Sequence, residues 1–175
     1  MSRNQKKTPI QTIRSEYYRT DKKCILFIPI LLVFLGIFTR WVCGSPLSTL
    51  HYISAREIVP PTWLMILLFS VSYAVAGFAL GSALGNPFCS CGERKYQGAM
   101  WFVLALGLGY IWYPIFFCAR LFLVSVLICL LCLFSSLCAT VCFASVSKIS
   151  FYLSLAYDLW LLYLMFLNLQ IFFAI

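Results

Sequence analysis

The 175-residue sequence has few charged residues and a single histidine, His51. Charged residues make up 10% of the chain and hydrophobic residues 63%, whereas a soluble domain is about a quarter charged and about half apolar. These proportions exclude an ordinary soluble globular domain. One histidine cannot form a histidine-based metal cluster or a catalytic dyad within one chain. His51 is therefore only a candidate axial haem ligand, and the alternative is an ordinary loop or interfacial histidine.

The sequence patterns that usually carry catalysis are also missing. The chain has no glycine-rich phosphate loop, no G-x-S-x-G motif and no paired carboxylates. We therefore expect no catalytic residues, no required cofactor and no enzyme activity.

Acidic residues are scarce, with five Asp and Glu against thirteen Lys and Arg, for a net charge of +8. Seven of the cations fall within residues 1–23, and the rest of the chain is nearly neutral. A nucleic-acid partner is therefore not expected. Residues 1–23 are too poor in apolar side chains to fold alone, so we predict a disordered basic tail near anionic lipid. A targeting segment is the alternative.

Long apolar stretches fill the remaining chain, and each is close to the 20 or so residues that a spanning helix needs. They predict helices at about 24–43, 62–85, 97–118, 121–146 and 149–173. The stretches lack the alternation of a barrel strand, so the fold class is all-α, a polytopic five-transmembrane-helix bundle over residues 24–175. We expect the first span to be retained, because its apolar core is longer than that of a signal peptide.

The distribution of cations predicts the orientation in the membrane. With five spans, the tail, the loop at 86–97 and Lys148 share one side, which then carries ten Lys and Arg, and the other side carries Arg40, Arg56 and Arg120. The positive-inside rule places the side richer in cations, with the N-terminus, in the cytosol.

Nine cysteines are present, but their positions do not form a disulfide framework. Four of them lie inside the fourth span, where thiols act as small apolar packing groups: Cys129, Cys132, Cys138 and Cys142. Cys89 and Cys91 form a lone C-x-C pair, which lacks the second ligand pair of a structural zinc site. We therefore predict no metal site and an ordinary or palmitoylated loop.

Asp158 is the one acidic residue inside a predicted span. A carboxyl group there is costly to bury and needs a partner. The candidate partners are Arg120, Lys148, Tyr110 and Tyr113. The alternative is that Asp158 reaches back to the membrane interface from the start of the fifth span.

Aromatic residues recur at helical spacing in three spans. The second span carries Trp63, Phe69, Tyr73 and Gly77, the third ends with Trp112, Phe116 and Phe117, and the fifth carries Tyr157, Trp160 and Asn168. Aromatic faces converging from several helices would form an apolar pocket for a large flat ligand. The alternative is ordinary packing between helices.

The order and spacing of these motifs resemble the TspO/MBR family of translocator proteins. The family's second helix reads P-P-x-W-x5-W/F-x3-Y-x3-G, and this chain has Pro60, Pro61, Trp63, Phe69, Tyr73 and Gly77. The family's third helix ends L-x-L-N-x-x-W-x-P-I-F-F-x-x-R, matched by Leu106, Leu108, Trp112, Pro114, Ile115, Phe116, Phe117 and Arg120. The fifth-helix motif, P-Y-x-x-W-x6-L-N, is matched by Tyr157, Trp160, Leu167 and Asn168. The chain departs from the pattern at Gly109, Val124 and Ala156, where asparagine, an animal tryptophan and proline are usual.

The resemblance implies a membrane translocator that binds tetrapyrroles, haem or protoporphyrin, and sterols in a pocket within the bundle, for scavenging, transport or stress signalling. The implied ligand-binding residues are Trp63, Phe69, Tyr73, Trp112, Phe116, Phe117, Tyr157, Trp160 and Asn168. Arg120, or cations near the loop mouths, would pair with propionates. Because Val124 replaces a tryptophan of the drug pocket, we expect weak affinity for benzodiazepine-type drugs.

The resemblance also bears on location and assembly. A basic N-terminal extension without a C-terminal tail is similar to plant members of the endoplasmic reticulum and Golgi, whereas animal members lie in the outer mitochondrial membrane. A homodimer is expected by resemblance, and porphyrin breakdown, proposed for bacterial members, is the one activity left open. Two functions from other classes remain as alternatives: a small channel or transporter subunit with Asp158 in a polar path, and a membrane scaffold without a small-molecule ligand.

Overall fold

The computed structural model describes residues 22–43, 62–86 and 92–174. Most of the predicted basic tail, together with His51, Cys89 and Cys91, lies outside these residues. The predictions for the tail, for haem ligation by His51 and for the C-x-C loop therefore stay predictions.

Five helices account for nearly all of the described residues. They are α1 (Lys22–Cys43), α2 (Thr62–Leu84), α3 (Gly92–Pro114), α4 (Phe122–Ala144) and α5 (Lys148–Ala174). A π-helical turn, Ile115–Ala119, continues α3. Each of the five is long and apolar enough to cross a membrane. The predicted all-α bundle of five spanning helices is confirmed.

The helix bounds differ from the predicted spans mainly at the start of α3. The helix begins at Gly92, before the predicted start at 97, and Glu93 lies in its first turn. A carboxylate near a helix N-terminus is stabilised by the helix dipole, so a charged first turn is helical although it is not apolar. Apolar length alone therefore missed this turn. A second, smaller difference is at the end of α4, which finishes at Ala144, two residues before the predicted 146.

The helices are arranged in the order α1, α2, α5, α4, α3. Each helix packs extensively against the next one in this order. α3 closes the bundle through smaller contacts with α2 and α1. The seam between α3 and α1 is therefore the smallest contact in the ring. The candidate site described below lies beside it, between α1, α2 and the end of α3.

The backbones of α1 and α2 approach very closely at Gly77. A Cβ atom built on Gly77 would overlap the Cα of Pro29, and one on Gly81 would lie 2.8 Å from the carbonyl oxygen of Cys24. Only glycine permits this approach. α1 buries little of its own surface, so this contact carries much of its attachment to the bundle.

Two hydrogen bonds join the loop ends at the side of the bundle that holds the start of α1. Asn86 donates through Nδ2 to the carbonyl oxygen of Val146 over 3.2 Å. Lys95 donates through Nζ to the carbonyl oxygen of Asn86 over 3.0 Å. The ends of α2 and α4 and the start of α3 therefore meet, and Arg40 and Arg120 lie at the opposite end. For the cations within the described residues this grouping is the predicted one, whereas Arg56 and residues 1–21 lie outside them. The assignment of the cation-rich end to the cytosol stays a prediction.

Candidate ligand site between α1, α2 and α3

A crevice opens between the end of α1, the start of α2 and the end of α3. Its volume is about 70 Å³. It is lined by Val33, Gly36, Ile37, Thr39, Arg40, Met65, Ile66, Phe69, Ser70, Tyr73, Tyr113 and Phe117. The lining is mostly apolar, and one cation, Arg40, is part of it. No acidic residue of the described chain pairs with this guanidinium.

Five of the residues predicted to bind ligand form one aromatic cluster at this crevice. Phe69 lies at its centre, with its ring centroid 5.9 Å from that of Trp112 and 5.3 Å from that of Trp160. Trp112 continues the cluster to Phe116 at 5.1 Å and to Phe117 at 6.1 Å. The predicted convergence of aromatic side chains from α2, α3 and α5 is therefore present. Of these rings, Phe69 and Phe117 line the crevice, and Trp112, Phe116 and Trp160 pack behind them. The cluster therefore backs one wall of the crevice and does not enclose a large void.

The indole of Trp112, within the aromatic cluster, is a buried hydrogen-bond donor. Trp112 is 4% exposed, and its Nε1–H has no hydrogen-bond partner in the part of the chain that the structure describes. A buried donor without a partner costs about 1–3 kcal/mol in proteins, and more where lipid excludes water. The indole ring contacts Phe69 and Phe117, which line the crevice. A ligand acceptor that displaced these two rings would reach a donor already in place.

Tyr73, which lines the crevice, and Tyr110 connect the three helices around it. The ring of Tyr73 stacks on that of Tyr110, with centroids 4.8 Å apart and planes 8° apart. The hydroxyl of Tyr110 donates to the carbonyl oxygen of Leu32 over 2.7 Å. These contacts join α2, α3 and α1 just below the opening.

The other predicted ligand residues lie elsewhere. Trp63 is 66% exposed on the outer surface of α2. Tyr157 is buried against Phe102, with ring centroids 5.6 Å apart. Asn168 accepts from the hydroxyl of Ser125 over 2.9 Å and donates to the carbonyl oxygen of Leu164 over 2.8 Å. The last two therefore hold α5 against its neighbours and do not line the crevice.

Sequence reasoning missed the contribution of α1. Gly36, Thr39 and Arg40 line the crevice, whereas the aromatic residues of α1 are exposed: Phe27, Phe34, Phe38 and Trp41. The one available signal was a cation at the end of the first span. Arg40 enters the predicted orientation of the chain by name, and it enters the binding prediction only among the unnamed cations near the loop mouths.

The predicted partners of Asp158 are wrong, and so is the expectation that it reaches the interface. Asp158 is 4% exposed, and its carboxyl oxygens accept from Ser136 Oγ and from Thr140 Oγ1, the latter over 2.7 Å. At 1.5 Å per residue, Asp158 lies about 15 Å along α5 from its start, too deep to reach the headgroups. Ser136 and Thr140 are one turn apart on α4 and face it together.

The comparison with protein families agrees with this architecture. The sequence model of the TspO/MBR family matches residues 26–174, which include α2 to α5 and all of α1 except its first four residues. The chain belongs to the TspO/MBR family. It is therefore a multi-pass membrane protein of the translocator type. Comparison with curated individual proteins gave no match.

The departures from the TspO/MBR motifs fall outside the crevice. A Cβ atom on Gly109 would lie 3.7 Å from the Tyr157 hydroxyl oxygen, an ordinary contact. Ala156 is exposed on the outer face of α5. Arg120 and Val124 line a separate surface groove with Phe172. Arg40, rather than Arg120, is therefore the cation at the crevice.

Proposed function

We propose that this TspO/MBR protein binds a tetrapyrrole, haem or protoporphyrin, at the crevice between α1, α2 and α3, for scavenging, transport or stress signalling. The observation that carries the proposal is the buried Nε1–H of Trp112, which lacks a partner within the described chain. A tetrapyrrole offers such a donor either an acceptor atom or the face of an aromatic ring. Sterols, which share a flat apolar body, are the second ligand class.

The charge and shape of the crevice support the same ligand class. Arg40 lies at the mouth and the aromatic cluster forms the wall, so propionates and ring would each meet a suitable group. The crevice holds about 70 Å³, below the range of about 300–1,000 Å³ for ligand sites. Binding therefore requires α1 to move away from α3. The contact between these two helices is small.

The groups at the crevice support the proposal of a binding protein rather than an enzyme. Its polar groups are Arg40 and the hydroxyls of Thr39, Ser70, Tyr73 and Tyr113, with no general acid–base pair among them. The Trp112 indole lies behind Phe69. We further propose a cytosolic N-terminus, in the endoplasmic reticulum and Golgi or in the outer mitochondrial membrane, and a homodimer. The excess of cations at the end that holds the start of α1 supports this orientation.

Haem and protoporphyrin titrations of the detergent-solubilised protein test the proposal. Binding is followed by haem absorbance and by quenching of tryptophan fluorescence. We expect saturable binding that weakens by about tenfold in Arg40→Gln, since a hydrogen bond to a charged group contributes about 1.5–3 kcal/mol. In Trp112→Phe, which keeps the ring and removes the N–H, the expected loss is about fivefold.

Matched controls remove the same groups far from the crevice. Arg94→Gln removes an exposed cation at the other end of the bundle, and Trp101→Phe removes an indole that packs on Phe134. Both are expected to bind as the unchanged protein does. Linear, unsaturable quenching, or equal losses in test and control variants, would contradict a tetrapyrrole site at this crevice.

A further inference from the structure

A second cavity opens on the outer surface of the bundle, at the end where α4 begins and α5 finishes. Its volume is about 460 Å³, within the range of ligand sites. It is lined by Arg120, Leu121, Phe122, Leu123, Val124 and Phe172. This lipid groove, as we name it, is apolar apart from one guanidinium and does not share a lining residue with the crevice.

The backbone holds Arg120 at the edge of this groove. Arg120 is the joint between the π-helical turn and α4, with φ of 55°, and its N–H donates to the carbonyl oxygen of Ile115. The next N–H, of Leu121, donates to the same oxygen over 3.3 Å. A non-glycine residue in this left-handed conformation needs such fixed surroundings. The backbone conformation therefore fixes the position of the Arg120 Cα and Cβ atoms relative to the groove.

The positive charge of Arg120 at the groove has no acidic partner within the described residues. Arg120 is exposed, and no Asp or Glu of residues 22–43, 62–86 or 92–174 forms an ion pair with it. It lies where the end of α3, the start of α4 and the end of α5 meet, at the depth of lipid headgroups. The apolar lining comes from the first residues of α4 and from Phe172 of α5. A cation above an apolar groove complements a molecule with an anionic head and a hydrocarbon tail. With the N-terminus in the cytosol, this end faces the other leaflet, so selection depends on the guanidinium and not on the negative charge of the cytosolic leaflet.

We propose that the lipid groove binds one anionic phospholipid. Arg120 donates to its phosphate, for which a guanidinium has the matching paired geometry. An acyl chain lies against Leu123, Val124 and Phe172. The small side chain of Val124 leaves the space that the chain occupies. This site is independent of tetrapyrrole binding at the crevice.

Native mass spectrometry and thermal unfolding of the full chain test the proposal. The probes are phosphatidylglycerol, phosphatidylcholine, cholesterol and inorganic phosphate, each added to the protein in detergent. We expect one phosphatidylglycerol molecule to be retained at least about tenfold more tightly than phosphatidylcholine, and to raise the unfolding midpoint. Cholesterol and inorganic phosphate are expected to do neither, because each supplies only one half of the ligand.

Two variants address the head and the tail of the lipid separately. Arg120→Gln is expected to abolish the preference for phosphatidylglycerol, whereas Arg94→Gln, an exposed cation elsewhere, keeps it. Val124→Trp fills the groove and is expected to lose the bound lipid. Val71→Trp, the same change at an exposed position of α2 away from the groove, keeps it.

The remaining outcomes overturn the proposal. Phosphatidylglycerol binding that survives Val124→Trp but not Arg120→Gln would mean surface attraction without a groove. Tight cholesterol binding that Val124→Trp removes would make this a sterol site. If Val124→Trp lowers the unfolding midpoint without lipid, the smaller Val124→Phe replaces it, and unchanged retention in that variant counts against the groove.

Discussion

Replacing Ser136 by alanine and Thr140 by valine is expected to lower the free energy of unfolding by about 2–4 kcal/mol. Both hydroxyls donate to the Asp158 carboxyl, so the double variant leaves a buried carboxyl without its described partners. Interhelical hydrogen bonds in membranes average only about 0.6 kcal/mol, because freed groups find other partners. Asp158 is 4% exposed and is surrounded by packed helices, so the larger value applies. Reversible unfolding in mixed micelles measures the change.

Adding Asp158→Leu to this double variant is expected to recover most of the lost stability. The triple variant has no polar group left to satisfy, and replacing all partners by apolar groups of similar shape is close to neutral. Ser154→Ala is the matched control, since that buried hydroxyl donates only to the Phe151 carbonyl oxygen of its own helix. A triple variant less stable than the double variant would show that the carboxyl contributes more than these two contacts.

The substitution Gly77→Ala is expected to destabilise the protein by about 1–3 kcal/mol relative to Gly107→Ala, the cost of overpacking a well-filled contact. The new methyl group at position 77 would overlap the backbone of Pro29, whereas at Gly107 it would meet no atom within 4 Å. Both substitutions bring the same gain in helix propensity of about 1 kcal/mol. Their difference therefore isolates the contact between α1 and α2.

Thermal unfolding in detergent measures both glycine variants side by side. Gly107→Ala is expected to unfold at the same temperature as the unchanged protein or slightly above it. Proteolysis provides a second readout, because α1 should separate from α2 more readily in Gly77→Ala. Equal midpoints for the two variants would show that α1 shifts to accommodate the methyl group at no cost.

The spanning helices were predictable because each depends on a local property of the chain. An apolar stretch of about 20 residues lowers its free energy in lipid whatever its neighbours are, and helical hydrogen bonds satisfy its backbone. The start of α3 was missed because Glu93, Arg94 and Lys95 are polar but helical. That turn lies at the membrane surface, where apolar length gives no signal.

The candidate site was predictable in part. The spacing of aromatic residues on α2, α3 and α5 predicted a shared cluster, and Phe69, Trp112, Phe116, Phe117 and Trp160 form it. Spacing along one helix does not show which face meets which neighbour. Trp63 therefore turned out to be exposed, and Asn168 turned out to bond with Ser125 in the seam between α4 and α5.

The sequence by itself determined that this is a five-span membrane protein with the motifs of the TspO/MBR family, because hydrophobicity and motif spacing are written along the chain. Only the tertiary structure decided the pairings between helices: Asp158 with Ser136 and Thr140, Gly77 with Pro29, and Arg40 with the aromatic wall. Such pairings depend on the rotation and depth of each helix against its neighbours. In a membrane that arrangement follows from close packing and polar contacts between helices rather than from hydrophobicity, which is similar on every face.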